Sequence, residues 1–370
     1  MPISTARGLR RTLERFTSDH QLGQALLRCI NSKIDHPINL MEVCGTHTMT
    51  ISATGLRRSV DPRLSLTSGP GCPVCVTAQQ DLDLALELAQ QPGVILATFG
   101  DMMRVPGTNS SLELERSRGR DIRVVYSPLE AVRTAQENPS REVVFLGVGF
   151  ETTAPVVAAS LILARRQGLT NFLLFCRFKT MPQALRALVQ SPGLKVDGFI
   201  LPGHVSTIIG SRPYEFLAQE FGKPCCITGF ELLDLVQGIE MLLEQMQTRP
   251  EVRIQYTRSV HPDGNPEAQQ LLAQVFVPND AVWRGLGKIP ASGLGLAPGY
   301  ACFDAELHFG LKPKPTKGIP RGCRCGDVLL GAILPIECGL FAKTCTPEQP
   351  LGPCMVSSEG ACAAYYKYER

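Results

Sequence analysis

Six cysteines crowd the tail "GCRCGDVLLGAILPIECGLFAKTCTPEQPLGPCMVSSEGACAAYY": Cys323, Cys325, Cys338, Cys345, Cys354 and Cys362. Thiolates at this density point to soft-metal or redox chemistry. Two paired CxxC knuckles would indicate zinc, and the tail lacks them. Irregular spacing suits a [4Fe-4S] cluster, which takes four thiolates and tolerates varied loops between them. Four ligands from six would leave two thiols beside the cluster, able to pass electrons as a disulfide. A structural zinc or buried free thiols are the alternatives. Cys323 and Cys325 are two apart, and on an extended segment they are not expected to ligate together.

A second group lies near the front of the chain. "GPGCPVC" holds Cys72 and Cys75 at a spacing that could bind zinc, exchange disulfides or carry iron. Thr77 followed by Gln80 resembles a capping box, and Leu82, Leu86 and Ala89 continue it with helical spacing. Cys75 is therefore expected just ahead of a helix N-terminus, where the dipole favours a thiolate. No second pair stands nearby to complete a zinc knuckle. "MEVCGTHTM" places Cys44 and His47 three apart, able to share a metal or to orient one another's neighbours. "GVGFETTAP" presents Glu151 before a helix, and "LPGHVSTIIG" presents His204 on a Pro-Gly turn with Thr207 behind it. Taken singly, each is as well read as a solvated carboxylate or a satisfied core histidine.

The elements that must carry these groups are short apolar runs alternating with helical text. "INLMEVCG", "RLSLTSGPG", "VILATFGD" and "IRVVYSP" read as strands in the first half, and "VVFLGVGFE", "NFLLFCRF", "DGFILPGHV" and "PCCITGF" in the second. Buried runs alternating with helices predict parallel sheets of the βαβ kind, with two similar sets consistent with a duplicated α/β unit. Cys44, His47, Cys72, Cys75, Asp101, Glu151 and His204 all fall at trailing strand ends, where open α/β sheets form their ligand crevice. Two such units facing each other would gather them into one cleft. A helix with Leu9, Leu13, Phe16, Leu22, Ala25, Leu26 and Cys29 as apolar positions precedes the strands, and "LLDLVQGIEMLLEQM" from Leu232 leads into a third region. There "VHPDGNPEAQQLLAQVF" reads as a turn and a helix, and "GLGKIPASGLGLAPGY" as a packed glycine-rich loop without phosphate-loop spacing. Cys29, Cys176, Cys225 and Cys226 lie in apolar text as expected buried thiols, and nothing beside Trp283 points to a stacking role.

The chain is 370 residues long, 44% hydrophobic, and carries a net charge of +3, an ordinary α/β composition without a nucleic-acid footprint. No apolar run reaches membrane-spanning length, and "MPISTARGLRRTLERF" lacks the apolar core of a secretory signal, so a cytoplasmic location is expected. Clustered cysteines in such a chain favour metal or redox chemistry over structural disulfides.

With "CGTH", "GPGCPVC", "GFETTAP", "LPGHVS" and the tail "CRCGD…CGLF…CTP…ACAAYYKY" in this order, the chain resembles the hydrogenase formation protein HypD family over almost its whole length. The resemblance implies three α/β domains around a cleft: a 1–35 helical segment packed on the third domain, 36–137, 138–232, and 233–370 with one [4Fe-4S] cluster. It implies work on the Fe(CN)2CO unit of [NiFe]-hydrogenases, with a HypC-type chaperone and a HypE-type cyanide donor fed by HypF. Cys44 then matches the cysteine that holds iron together with a chaperone thiol. Cys72 and Cys75 match the redox CPVC, and His47, Glu151 and His204 line the cleft. By similarity to ferredoxin–thioredoxin reductase, Cys323, Cys338, Cys345 and Cys362 are assigned to the cluster and Cys325 and Cys354 to the redox pair. An iron–sulfur protein-disulfide oxidoreductase is the rival expectation, and a structural zinc scaffold is a third.

Overall fold

A computed structural model describes residues 20–313 and 322–370. All eight apolar runs are strands: β1 (Ile38–Glu42), β2 (Leu64–Ser68), β3 (Val94–Thr98), β4 (Ile122–Val124), β5 (Glu142–Gly149), β6 (Phe172–Phe178), β7 (Gly198–Pro202) and β8 (Cys225–Thr228). Three more follow, β9 (Val252–Ile254), β10 (Phe276–Trp283) and β11 (Gly287–Leu296). Strands β2-β1-β7-β8-β9 form one sheet and β4-β3-β5-β6 another, parallel throughout. The α/β class is therefore as expected.

The two sheets do not follow the halves of the chain. The first takes β1 and β2 from the front and β7 to β9 from the back, while the second holds β3 to β6. The boundary expected at 137/138 separates β4 from β5, which share a sheet. Local periodicity marks a strand but carries no information about its partner, so pairing was illegible in the text.

Alternation along the strands builds three cores. Ile38, Leu40, Leu64, Leu66, Ile200 and Cys226 face the helices His20–Lys33 and Leu232–Gln247. Met41, Val43, Phe199, Leu201 and Ile227 face the other way, into a central core shared with Leu96, Val144, Leu146, Leu173 and Phe175 of the second sheet. The far side of that sheet, with Ile95, Ala97, Val143, Phe145 and Leu174, packs on the helices Pro128–Glu137 and Ala154–Arg166. Both faces of each sheet are thus covered, which is why the strands read as near-continuous apolar runs.

Helix His20–Lys33 buries Ile30, with Leu26 and Leu27 packed beside it, against Leu235, Val236 and Ile239 of Leu232–Gln247. The expected apolar positions Leu9, Leu13 and Phe16 lie outside the described residues. "GLGKIPASGLGLAPGY" is not a loop over most of its length: β11 pairs antiparallel with β10, with a register shift at Asn279/Ala281. Glycine and proline masked a strand whose side-chain contributions are small. Among the described residues no helix is long and apolar enough to cross a membrane.

Candidate functional site

Strand β1 ends at Glu42, and Cys44 adopts extended backbone as the N-cap of helix Gly45–Thr54. Its thiol is buried, and burial pushes it up to about 12 against the pull of the His47 and Thr46 backbone amides. Glu42 is the one carboxylate of β1. It accepts from the Cys44 amide at 3.0 Å and from the Thr48 hydroxyl. Burial raises its carboxyl to about 7 despite those donors. His47 is fully buried; its Nε2 donates to the Gly229 carbonyl at 3.0 Å and lies 3.1 Å from the Thr228 hydroxyl. The tautomer follows from that bond and leaves Nδ1 bare, without a partner among the described residues. Burial holds the ring neutral, down to about 4.

The CPVC turn is pressed onto this segment. A Cβ on Gly71 would stand 2.2 Å from the Cys44 amide nitrogen, so only glycine lets the two strand ends touch. Gly45 N–H donates to the Gly71 carbonyl at 3.1 Å. Cys72 and Cys75 form a disulfide, with Cα atoms 5.2 Å apart. Cys72 caps the short turn Pro73–Val76 by accepting from the Cys75 amide at 3.1 Å. Cys75 lies within this turn rather than directly ahead of the longer helix. That helix, Gln79–Gln90, starts from Ala78 without a side-chain cap. Thr77 does not cap it, because its hydroxyl turns back to the Pro73 carbonyl at 2.8 Å.

Glu151, from the end of β5, is buried, not solvated: one carboxyl oxygen accepts from the Met181 amide at 2.8 Å and the other has no partner among the described residues. Burial raises it to about 7. Its charge reaches the buried Tyr214 phenol, which burial holds well above the usual tyrosine range and which Cys44 also influences. His204 is exposed at the start of helix Gly203–Ile209 and stacks on Phe230 at 3.8 Å between centroids, with His47 at 5.3 Å from the same ring. Thr207 only closes its own turn, donating to the His204 carbonyl at 2.6 Å. Glu359, absent from the sequence reading, joins the two sides. It accepts from the Thr46 hydroxyl at 2.8 Å and acts electrostatically on Cys44, His204 and Asp101, which come from both sheets. An acidic residue three places before a tail cysteine was its only signal.

All six tail cysteines line one pocket, together with Val328, Leu340, Phe341, Gly352 and Met355. Cys325 opens helix Cys325–Leu329, so the segment is not extended there. The two thiols meet: hydrogen bonding from Cys325 lowers Cys323 to about 6, and Cys323 in turn raises Cys325. Cys354 is raised chiefly by a hydrogen bond with Cys362. The hydrogen-bonded thiol pairs are thus 323 with 325 and 354 with 362, and Cys354 also acts on Cys325. Among the described residues no three His, Cys, Asp or Glu groups stand at single-ion spacing. A pocket walled by six sulfurs and apolar side chains nonetheless fits a soft multi-iron cluster by donor type. The pocket's wall reaches the CPVC turn through the loop after Cys354, where Ser357 Oγ lies 3.3 Å from Cys72 Sγ.

Outside the site, Cys225 and Cys226 are buried, whereas Cys29 and Cys176 are only partly so. Trp283 does stack, on Phe150 at 5.9 Å, and its Nε1 donates to Ser292 at 2.8 Å.

The family model described as "HypD: Hydrogenase formation hypA family" matches residues 21–369. The "Hydrogenase maturation factor HypD2" of Bradyrhizobium diazoefficiens is 46% identical over 363 residues, 95% of each chain. "Hydrogenase maturation factor HypD" of Rhodobacter capsulatus is 46% identical over 344 residues, 92% of this chain and 91% of that one. Its namesake in Escherichia coli is 47% identical over 338 residues, 91% and 90%. Strand ends carrying the CGTH, CPVC, FETT and PGH segments, a pocket lined by six thiols, and likeness over nine-tenths of the chain lead to one conclusion: this chain belongs to the HypD family, with a role in hydrogenase maturation.

Proposed function

We propose that this chain is a scaffold and redox protein for assembling the Fe(CN)2CO unit of [NiFe]-hydrogenases. It holds iron jointly with a HypC-type chaperone while a HypE-type partner delivers cyanide. One observation carries the reading: Cys44, the Cys72–Cys75 disulfide and the six-thiol pocket form a continuous series through Gly71 and Ser357. Iron is the cargo, and Cys44 is its anchor. A thiol that burial pushes up to about 12 gives up its proton when a cation takes that place. Neutral His47, with its bare Nδ1, is a base on the same helix. Cys72 and Cys75 exchange electrons as disulfide and dithiol.

In the tail, Cys323, Cys338, Cys345 and Cys362 are proposed to hold a [4Fe-4S] cluster, with Cys325 and Cys354 as the thiol pair beside it. Bound there, the cluster supplies single electrons at a potential set by its surroundings. The six-thiol pocket supports that donor set, and Ser357 places its edge against Cys72.

Infrared spectroscopy of protein purified anaerobically with its small chaperone tests the reading. Cyanide and carbonyl stretches on iron are expected, and Cys44→Ala should abolish them while leaving the cluster spectrum intact. A silent spectrum in protein with intact cluster and bound chaperone would instead favour the disulfide oxidoreductase. Loss of the cluster in Cys44→Ala would sink the division of labour.

A further inference from the structure

Arg284 is a buried guanidinium that none of these roles uses. It is 4% exposed, follows Trp283 at the end of β10, and forms no ion pair among the described residues. Its Nε donates to the Thr77 carbonyl at 3.0 Å and its Nη2 to Gln79 Oε1 at 3.2 Å, while its backbone amide donates to the Val76 carbonyl at 2.9 Å. Nη1 has no partner among the described residues. A buried cation satisfied only by neutral acceptors, and by those incompletely, is costly unless negative charge stands close by.

The tail packs against the residue that follows. Gly285, at φ 86°, lies against Gly326: a Cβ there would meet the Gly326 Cα at 2.8 Å. Gly326 adjoins Cys325, so the strap Trp283–Arg284–Gly285 runs directly from the CPVC turn to the wall of the six-thiol pocket. Arg284 is close enough to act electrostatically on Cys323, Cys325 and Cys354, which come from two separate segments of that wall. The buried Lys179 nearby is engaged by Asp81 at 3.9 Å.

We propose that Arg284 is the counter-charge of the six-thiol pocket, a positioning residue that offsets the negative charge of sulfur ligands there while its other donors fix the CPVC turn beside it. The inference rests on the reading of the tail as a cluster site. Net charge and hydrogen bonds to sulfur set iron–sulfur potentials, so removing this cation makes the pocket's occupant harder to reduce.

The test compares full-length protein, purified anaerobically, with Arg284→Met, Arg284→Gln and Arg284→Lys. Iron and labile sulfide are assayed, and the cluster is titrated with dithionite under spin-resonance detection. The Met or Gln variant is expected to shift the reduced-to-oxidised ratio at fixed potential at least tenfold towards oxidised, about 59 mV for one electron. The Lys variant should stay within about threefold of the parent. Equal potentials in all variants, or an equal shift in Lys and Gln, would overturn the proposal. Should the parent contain no iron or sulfide, the cluster reading falls. Without a cluster the counter-charge has no occupant to offset and the Arg284 role falls with it, whereas an intact cluster with equal potentials overturns the Arg284 role alone.

Discussion

Glu151 shows how burial writes chemistry into one side chain. The folded carboxyl titrates near 7, against 4.5 for the unfolded chain. The native state therefore binds more protons between those values, and this residue's contribution is complete below about pH 4.5 and lost as pH rises through 7. By linkage the full shift corresponds to at most about 3 kcal/mol. Glu151→Gln keeps an acceptor for the Met181 amide and removes the proton equilibrium. Urea unfolding of this variant should show a shallower loss of stability from pH 5 to 7.5 than the parent, and an unchanged slope would place the titration elsewhere. His47 runs oppositely: its lowered value makes its contribution present above the ordinary histidine range and lost as pH falls towards 4. The sequence named both residues but left a solvated carboxylate as one reading of Glu151, since exposure is a property of what packs above a turn and not of the turn's own letters.

At the level of elements, the decisive contact is strand end against strand end. Gly71 lets the CPVC turn lie on the Val43–Cys44 backbone. Gly71→Ala must move main chain, because no flexible side chain is there to yield, so a loss on the order of 1–3 kcal/mol is expected from overpacking. Gly23, within helix His20–Lys33, has open space at its Cβ position. Gly23→Ala should gain about 0.5–1 kcal/mol from helix propensity, providing an opposite-sign comparison in the same denaturant series. A Gly71→Ala protein as stable as the parent would mean that the two strand ends separate freely. Strands β1 to β8 were legible as apolar runs because both faces of each sheet are covered. β10 and β11 were not, since glycine and proline weaken the only signal a hairpin of small residues offers.

The whole molecule is closed by its C-terminal tail. Glu369 pairs with Arg57, both nearly buried, and the same guanidinium donates to the Leu66 carbonyl at 2.9 Å and covers the Tyr365 ring at 4.7 Å. Arg57→Met should leave Glu369 without its cation and cost a sizeable part of the roughly 3–5 kcal/mol seen when one partner of a buried pair is removed. Hydrogen exchange should then rise in Ala361–Tyr368 before it rises in the parallel sheets. Uniform exchange across the chain would show that the tail is not a separately opening unit. The same closure lays Glu359 on the N-terminus of helix Gly45–Thr54, where a Cβ on Gly45 would stand 2.4 Å from the Glu359 Cβ.

Read alone, the sequence determined the α/β class, eight of the nine parallel strands and the helices from Leu232 and Pro266, and it named Cys44, His47, Cys72, Cys75, Glu151, His204 and the six tail thiols as candidates. Those depend on residue type and on periodicities of two and 3.6, which are local. Tertiary structure alone decided which strands share a sheet, that Cys323 and Cys325 converge at a helix start, and that Glu359 reaches Thr46 and Arg284 reaches Thr77. Glu359 is 313 residues from Thr46, and Arg284 lies 207 from Thr77. Contacts at such separations depend on how whole layers stack, and no short-range pattern in the chain encodes that stacking.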